Sequence, residues 1–134
     1  MELRRVLLVE DNPDDVELTL RVLRRHKLVE VTVAKDGEEA LKLLEAGLAP
    51  AFVLLDLKLP KLSGQEVLQR LRADERTRAL PVVVLTASQD EQDHLESLSL
   101  GVDAYITKPV DAGKFAGAVR QLGLHSLLSG RPMT

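Results

Sequence analysis

Ala51-Phe52-Val53-Leu54-Leu55-Asp56 is a run of five apolar residues that closes on a carboxylate, and the turn Lys61-Leu62-Ser63-Gly64 follows it. An apolar run of this length, bounded by turn signals, fits a strand buried on both faces. Burying a charge is costly unless something pairs with it, so an acid at such a strand end points to a site. Three further runs end in a similar way. Val6-Leu7-Leu8-Val9 ends on Glu10-Asp11, Pro81-Val82-Val83-Val84-Leu85 on Thr86, and Ala104-Tyr105-Ile106 leads to Lys108. Four strand ends thus carry acid, acid, hydroxyl and amine, a set suited to a phosphoryl group beside a divalent metal.

Helical periodicity fills the spaces between these runs. The first strand covers Arg5 to Val9, and Asn12-Pro13 opens a helix as N-cap and first helical residue. Val16, Leu20 and Leu23 form its expected core stripe. A short strand from Glu30 to Ala34 precedes Asp36-Gly37-Glu38-Glu39, an acidic helix start resembling a capping box, and that helix stops at Gly47. Ser63 and Glu66 stand at capping-box spacing and open the next helix. A polar helix is expected from Asp90 to Leu100, and a last one from Asp111 to Leu124. Strand-helix alternation repeated five times predicts an α/β, doubly wound (βα)5 fold: a five-stranded parallel sheet with helices on both faces. In the flavodoxin-like order 2-1-3-4-5 the ligand crevice opens between strands one and three, beyond their C-terminal ends. That topology brings Glu10, Asp11 and Asp56 together.

The 134 residues fit one domain, taken as residues 1-128 with a tail at 129-134. A net charge of -3 argues against nucleic acid as an electrostatic partner, and the absence of cysteine excludes disulfides and thiolate chemistry. No apolar stretch reaches membrane-spanning length and no signal-peptide pattern precedes the first strand, so a cytoplasmic location is expected. With only Phe52, Tyr105 and Phe115 as aromatics, a base-stacking surface is not expected. His26, His94 and His125 lack metal-ligand spacing, and the arginines from Arg70 to Arg78 read as a solvated helix end and loop.

Three carboxylates in one crevice repel: at an effective dielectric of about 20, each pair about 5 Å apart costs roughly 3 kcal/mol. Mg²⁺ relieves this, since it keeps waters and takes one or two carboxylates plus a phosphate oxygen. With Mg²⁺ on one phosphoryl oxygen and Lys108 on another, Asp56 is placed as a nucleophile forming an aspartyl phosphate, with Thr86 donating its hydroxyl to a third oxygen.

The chain resembles a response-regulator receiver domain of two-component signalling from Val6 to about Leu124. The resemblance rests on Val9-Glu10-Asp11-Asn12, Leu55-Asp56-Leu57-Lys58-Leu59-Pro60, Gly64, Val84-Leu85-Thr86-Ala87, Gly101-Val102-Asp103-Ala104-Tyr105 and Thr107-Lys108-Pro109. Each fragment alone is weak; all of them in order, at the family's spacing, are specific. The resemblance implies Asp56 as phosphoacceptor, Asp11 as direct metal ligand, Glu10 as ligand through water, and the Lys58 backbone carbonyl as a further ligand. It also implies Thr86 and Tyr105 as switch residues, Lys108 as the phosphate-binding lysine, and a cis Lys108-Pro109 bond. Glu-Asp replaces the commoner Asp-Asp pair, and the Lys58 side chain occupies a position where family members vary.

Leu18 and Val22 fall opposite the Val16-Leu20-Leu23 stripe at 100° per residue, on the side of Asp14 and Asp15. These four residues are expected to dock a partner histidine kinase. The implied function is that of a stand-alone response regulator, a phosphoacceptor rather than an enzyme. It takes a phosphoryl group from a sensor histidine kinase and signals to a downstream protein target or phosphotransfer protein, without an output domain. Glu10-Asp11-Asn12-Pro13-Asp14-Asp15 together with Pro60 and Lys108-Pro109-Val110-Asp111 is similar to regulators that partner bacterial phytochromes, and a homodimer is expected. A phosphorylation-independent module would usually have lost an acid or the lysine. A dehalogenase-type phosphohydrolase needs a second Asp where Lys58 stands. A flavodoxin would set a hydroxyl-rich loop, not Glu10-Asp11, after its first strand.

Overall fold

The computed structural model describes residues 4–25 and 29–123. Five strands alternate with five helices: β1 (Arg4–Val9), α1 (Pro13–Arg24), β2 (Val29–Ala34), α2 (Gly37–Glu45), β3 (Phe52–Asp56), α3 (Gly64–Ala73), β4 (Val82–Thr86), α4 (Gln89–Ser97), β5 (Ala104–Thr107) and α5 (Ala112–Gln121). The strands form one sheet in the order β2-β1-β3-β4-β5, parallel throughout. This is the expected doubly wound fold, and its register sets the site. Val9 pairs with Leu55, Asp56 with Leu85, and Thr86 with Thr107, so the polar residues that follow or close these strands gather at one edge.

Each central strand alternates between two cores, as side-chain period two requires. Val6, Leu8, Phe52, Leu54, Val83 and Leu85 face Leu23, Phe115 and Val119 on one side, where the Phe52 and Phe115 rings lie 6.2 Å apart. Leu7, Val9, Val53, Leu55 and Val84 face Ala40, Val67, Leu68 and Leu95 on the other. Full burial of such side chains contributes roughly 1.5–3 kcal/mol each, which is what holds the sheet while its rim carries charge. All five helices start on a side-chain cap. Asn12, Asp36, Ser63, Ser88 and Asp111 each accept a backbone N–H from the first turn.

Three expectations change. Val22 is 6% exposed and belongs to the core with Leu23, so it is no part of an exposed docking face; Leu18 is 37% exposed. The buried arc of α1 runs through Thr19, Val22 and Leu23, while Val16 is only half-buried. A threonine takes a core position here, which rotates the inward face away from the purely apolar stripe. Helix α4 ends at Ser97 rather than Leu100, because Ser99 turns left-handed at φ 53° just after the Leu98 cap. Arg72 is not solvated: its guanidinium donates to the carbonyls of Leu100, Leu80, Gly101 and Arg78 at 2.8–3.0 Å and meets Asp103 at 3.4 Å. Asp103 in turn accepts the Val82 amide at 2.8 Å, tying the starts of β4 and β5 to the end of α3. Smaller shifts are that β2 begins at Val29 and α5 ends at Gln121. His94 is exposed. His26, His125, Leu124 and the 129-134 tail lie outside the described residues.

Candidate functional site

The rim formed by the C-terminal ends of β1, β3 and β4 and the loop after β5 is the site. Glu10 follows β1 directly, its amide donating to the Ala34 carbonyl at 3.0 Å, and it is 1% exposed. Asp56 is the last residue of β3 and 5% exposed. Asp11 is exposed. One carboxylate oxygen from each of Glu10, Asp11 and Asp56 lies within 4.8 Å of the others, so the topology assembles the three acids as the sequence implies.

Lys108 is the cation among them. Its Nζ lies 2.9 Å from Glu10 Oε2, 3.1 Å from Asp56 Oδ2 and 3.2 Å from Asp15 Oδ2. The Lys108 amide donates to the Thr86 carbonyl at 2.8 Å, which anchors the lysine at the end of β4, and the Lys108-Pro109 bond is cis, as expected. One ammonium does not balance so many acids. Burial, reinforced by neighbouring Asp56, pushes Glu10 up to about 7 despite the opposing pull of Lys108. Burial works against the charge on Lys108, but Glu10 and Asp56 outweigh it and hold the lysine well above its ordinary range. Lys108 is therefore charged throughout the physiological range.

The metal set fits a hard divalent cation. Its donors are carboxylate oxygens only, and the buried Glu10 Oε2 accepts from no amide or hydroxyl among the described residues, meeting only the Lys108 ammonium at 2.9 Å. Lys58 sits two residues after Asp56, its amide 3.4 Å from Asp56 Oδ1. Its ammonium turns away to Glu91, 3.6 Å off, and Glu91 accepts the Ala87 amide at 2.8 Å. The backbone beneath Asp56 is close-packed: a Cβ on Gly64 would come within 2.3 Å of the Asp56 carbonyl oxygen and 2.7 Å of Leu57 Cα. Only glycine lets α3 start there.

Thr86 is fully buried at the end of β4, and its hydroxyl has no hydrogen-bond partner. The Tyr105 hydroxyl is likewise buried and unpartnered, and burial raises its pKa, with a smaller effect from Glu96. Both expected switch residues thus carry unused hydroxyls. At the mouth of the site the Asn12 side chain accepts the amides of Asp14 and Asp15, which orients the first turn of α1. Asp14 and Leu18 are exposed on that face, whereas Asp15 turns to Lys108. Sequence reasoning missed this Asp15 contact and the Glu91 contacts; capping-box spacing at Ser88 and Glu91 was the available signal for the latter.

A family model described as the response regulator receiver domain matches residues 6–120. The chain belongs to that family. Among solved structures, this receiver is 50% identical to the bacteriophytochrome response regulator AtBRR, with a TM-score of 0.86, covering 92% of this chain and 95% of that one. It is 30% identical to the receiver domain of the sensor histidine kinase PA1611 from Pseudomonas aeruginosa PAO1, a structure with a magnesium ion in its active-site cleft. There the TM-score is 0.79, and the match covers 90% of this chain and 98% of that one. A curated relative, the DNA-binding dual master transcriptional regulator RpaA of Synechocystis sp., is 39% identical over 121 residues. The match covers 88% of this receiver but 48% of RpaA, so the chain spans about half the length of that relative. Among the described residues no helix is long and apolar enough to cross a membrane.

Proposed function

We propose that this receiver accepts a phosphoryl group on Asp56 from a phosphohistidine of a sensor histidine kinase, in a Mg²⁺-dependent reaction. The observation that carries it is the position of Lys108 Nζ, 3.1 Å from Asp56 Oδ2 inside a cluster of three further acids. Asp56 attacks phosphorus; a P–O bond forms as the P–N bond breaks, and the electron pair leaves on the imidazole nitrogen. Asp11, Asp56 and the Lys58 carbonyl would hold Mg²⁺ directly, with Glu10 through water. When bound, Mg²⁺ neutralises charge developing on a phosphoryl oxygen. Lys108 moves its ammonium to another oxygen, and the Thr86 hydroxyl, free of partners, donates to a third.

These contacts exist only in the phosphorylated protein, so they shift a two-state equilibrium. Helix α4 is suited to respond, since Leu95 is its one buried residue. The signal leaves by protein–protein contact or onward phosphotransfer. Likeness to AtBRR supports a phytochrome-type kinase as donor, and the reaction belongs in the cytoplasm, where ATP supplies the kinase. Asp14 and Leu18 form the exposed part of the docking face. The protein turns over nothing but its own phosphoryl group.

The test is intact mass after incubation with acetyl phosphate and Mg²⁺. One phosphoryl group is expected on the wild type and none on Asp56→Asn. Multiple turnover of small phosphate esters at enzymatic rates would instead identify a phosphohydrolase.

A further inference from the structure

Asp15 is the fourth carboxylate of the site and the one that the family assignment leaves without a role in the phosphoryl chemistry. An ammonium has three donors, and Lys108 directs them at Glu10, Asp56 and Asp15. The three partners differ. Glu10 and Asp56 close or end buried strands and belong to the metal set. Asp15 stands at the rim on α1, its carboxylate 37% exposed, and accepts a hydrogen bond from Lys108 at 3.2 Å. Glu10 Oε2 is nearer, at 2.9 Å, but lies buried on the inner side. The Asn12 cap fixes the amide of Asp15 at 3.2 Å, so this carboxylate is held in place by the helix start.

We propose that Asp15 is a positioning residue for Lys108, holding the ammonium at the rim when Glu10 and Asp56 give their oxygens to a divalent cation. The same inner carboxylates face two cations. Without an outer partner, Lys108 has nowhere to go but onto Glu10 and Asp56, where it competes for their oxygens. With Asp15, the lysine keeps a charged hydrogen bond when it swings outward, and it stays poised beside Asp56. The partner is carried by α1, the helix whose exposed face bears Asp14 and Leu18. A protein settling on that face would therefore also act on the grip on Lys108.

This inference rests on the phosphoacceptor function above, and the test separates the two. Mg²⁺ affinity is measured by calorimetric titration of wild type, Asp15→Asn, Asp15→Glu, Lys108→Ala and the Asp15→Asn/Lys108→Ala double variant. Far-ultraviolet circular dichroism and urea midpoints confirm that each is folded. Asp15→Asn is expected to weaken Mg²⁺ binding about fivefold, and Asp15→Glu to restore it to within about twofold. In the Lys108→Ala background the Asp15→Asn change should shrink below about twofold, because the competing cation is gone. An equal loss in both backgrounds would mean that Asp15 acts only as a distant negative charge and would overturn the proposal, as would no loss at all. Labelling of the wild type by acetyl phosphate is followed in parallel. Failure of that labelling sinks the phosphoacceptor function, whereas normal labelling with no Asp15–Lys108 coupling sinks only this inference.

Discussion

Arg72 and Lys108 are both cations drawn into the protein, at opposite ends of the same sheet, and their surroundings could hardly differ more. Arg72, its side chain 16% exposed, meets four backbone carbonyls and one carboxylate, each an acceptor matched to a donor of its planar head. Lys108, 23% exposed, meets three carboxylates, with Asp11 close behind them. The first arrangement is closed: charge and hydrogen bonds balance, and it fastens the starts of β4 and β5 to α3. The second is open, with more negative charge than one ammonium offsets. Burial alone does not mark a functional charge. The mark is a buried charge whose partners leave the sum unbalanced.

The comparison breaks most sharply at Asp56. Asp56→Asn should abolish acetyl-phosphate labelling, a drop of at least about a hundredfold by mass spectrometry, because the nucleophile is gone. Its urea midpoint should hold or rise, since one of the mutually repelling acids is removed. A large loss of stability in this variant would show that the acidic rim is structural after all.

Arg72→Ala is the mirror experiment. It strands several inward-facing carbonyls and should cost about 3 kcal/mol in urea unfolding, while labelling of Asp56 stays within about twofold of wild type. Arg72→Lys should recover little, because one ammonium does not reproduce a planar fork of donors.

Stability against pH sharpens the difference further. Glu10 is raised from an ordinary 4.5 to about 7, chiefly by burial. Between those values the folded metal-free protein holds a proton on Glu10 that the unfolded chain has released, so the contribution of Glu10 to stability falls as pH rises through the window. The wild type should lose stability relative to Glu10→Gln as pH rises from 4.5 to 7.5. Urea unfolding of both proteins across that range measures it, and parallel curves would show that burial does not tax this carboxylate.

The smallest expected effect belongs to Thr86→Val. Its hydroxyl has no partner, so replacing it with a methyl group should change stability by less than about 0.5 kcal/mol, or improve it. Labelling should still occur. The chain has one tyrosine and no tryptophan, so tyrosine fluorescence reports Tyr105 alone. The change in that signal on phosphorylation should be strongly reduced in Thr86→Val; an undiminished change would separate Tyr105 from Thr86.

Much of this was legible in the chain. Strand-helix alternation and apolar runs buried on both faces pointed to a parallel, doubly wound sheet, and in the flavodoxin-like order the polar residues closing its strands share one rim. Asn12, Asp36 and Ser63 announced their helices through side-chain oxygens that do the same work in any context. What escaped depended on neighbours distant in sequence. Val22 looked exposed because Thr19, a polar residue, carries part of the inward arc of α1. Arg72 looked like any surface arginine until the loop 28 residues further on brought its carbonyls. The pairing of Asp15 with Lys108 spans 93 residues, and no local pattern encodes it.

Gly64 marks the closely packed flank of the site. The start of α3 lies so close against the main chain of Asp56 that a single added carbon would collide with it, and the Gly64 amide is bound to the Leu57 carbonyl at 2.9 Å. The nucleophile therefore rests on an anvil. A phosphoryl group on Asp56, as proposed, would meet close-packed main chain on that side, whereas β4 and β5 offer two hydroxyls without partners. The asymmetry between a filled flank and one with unused hydroxyls is built into the resting protein, before any partner arrives.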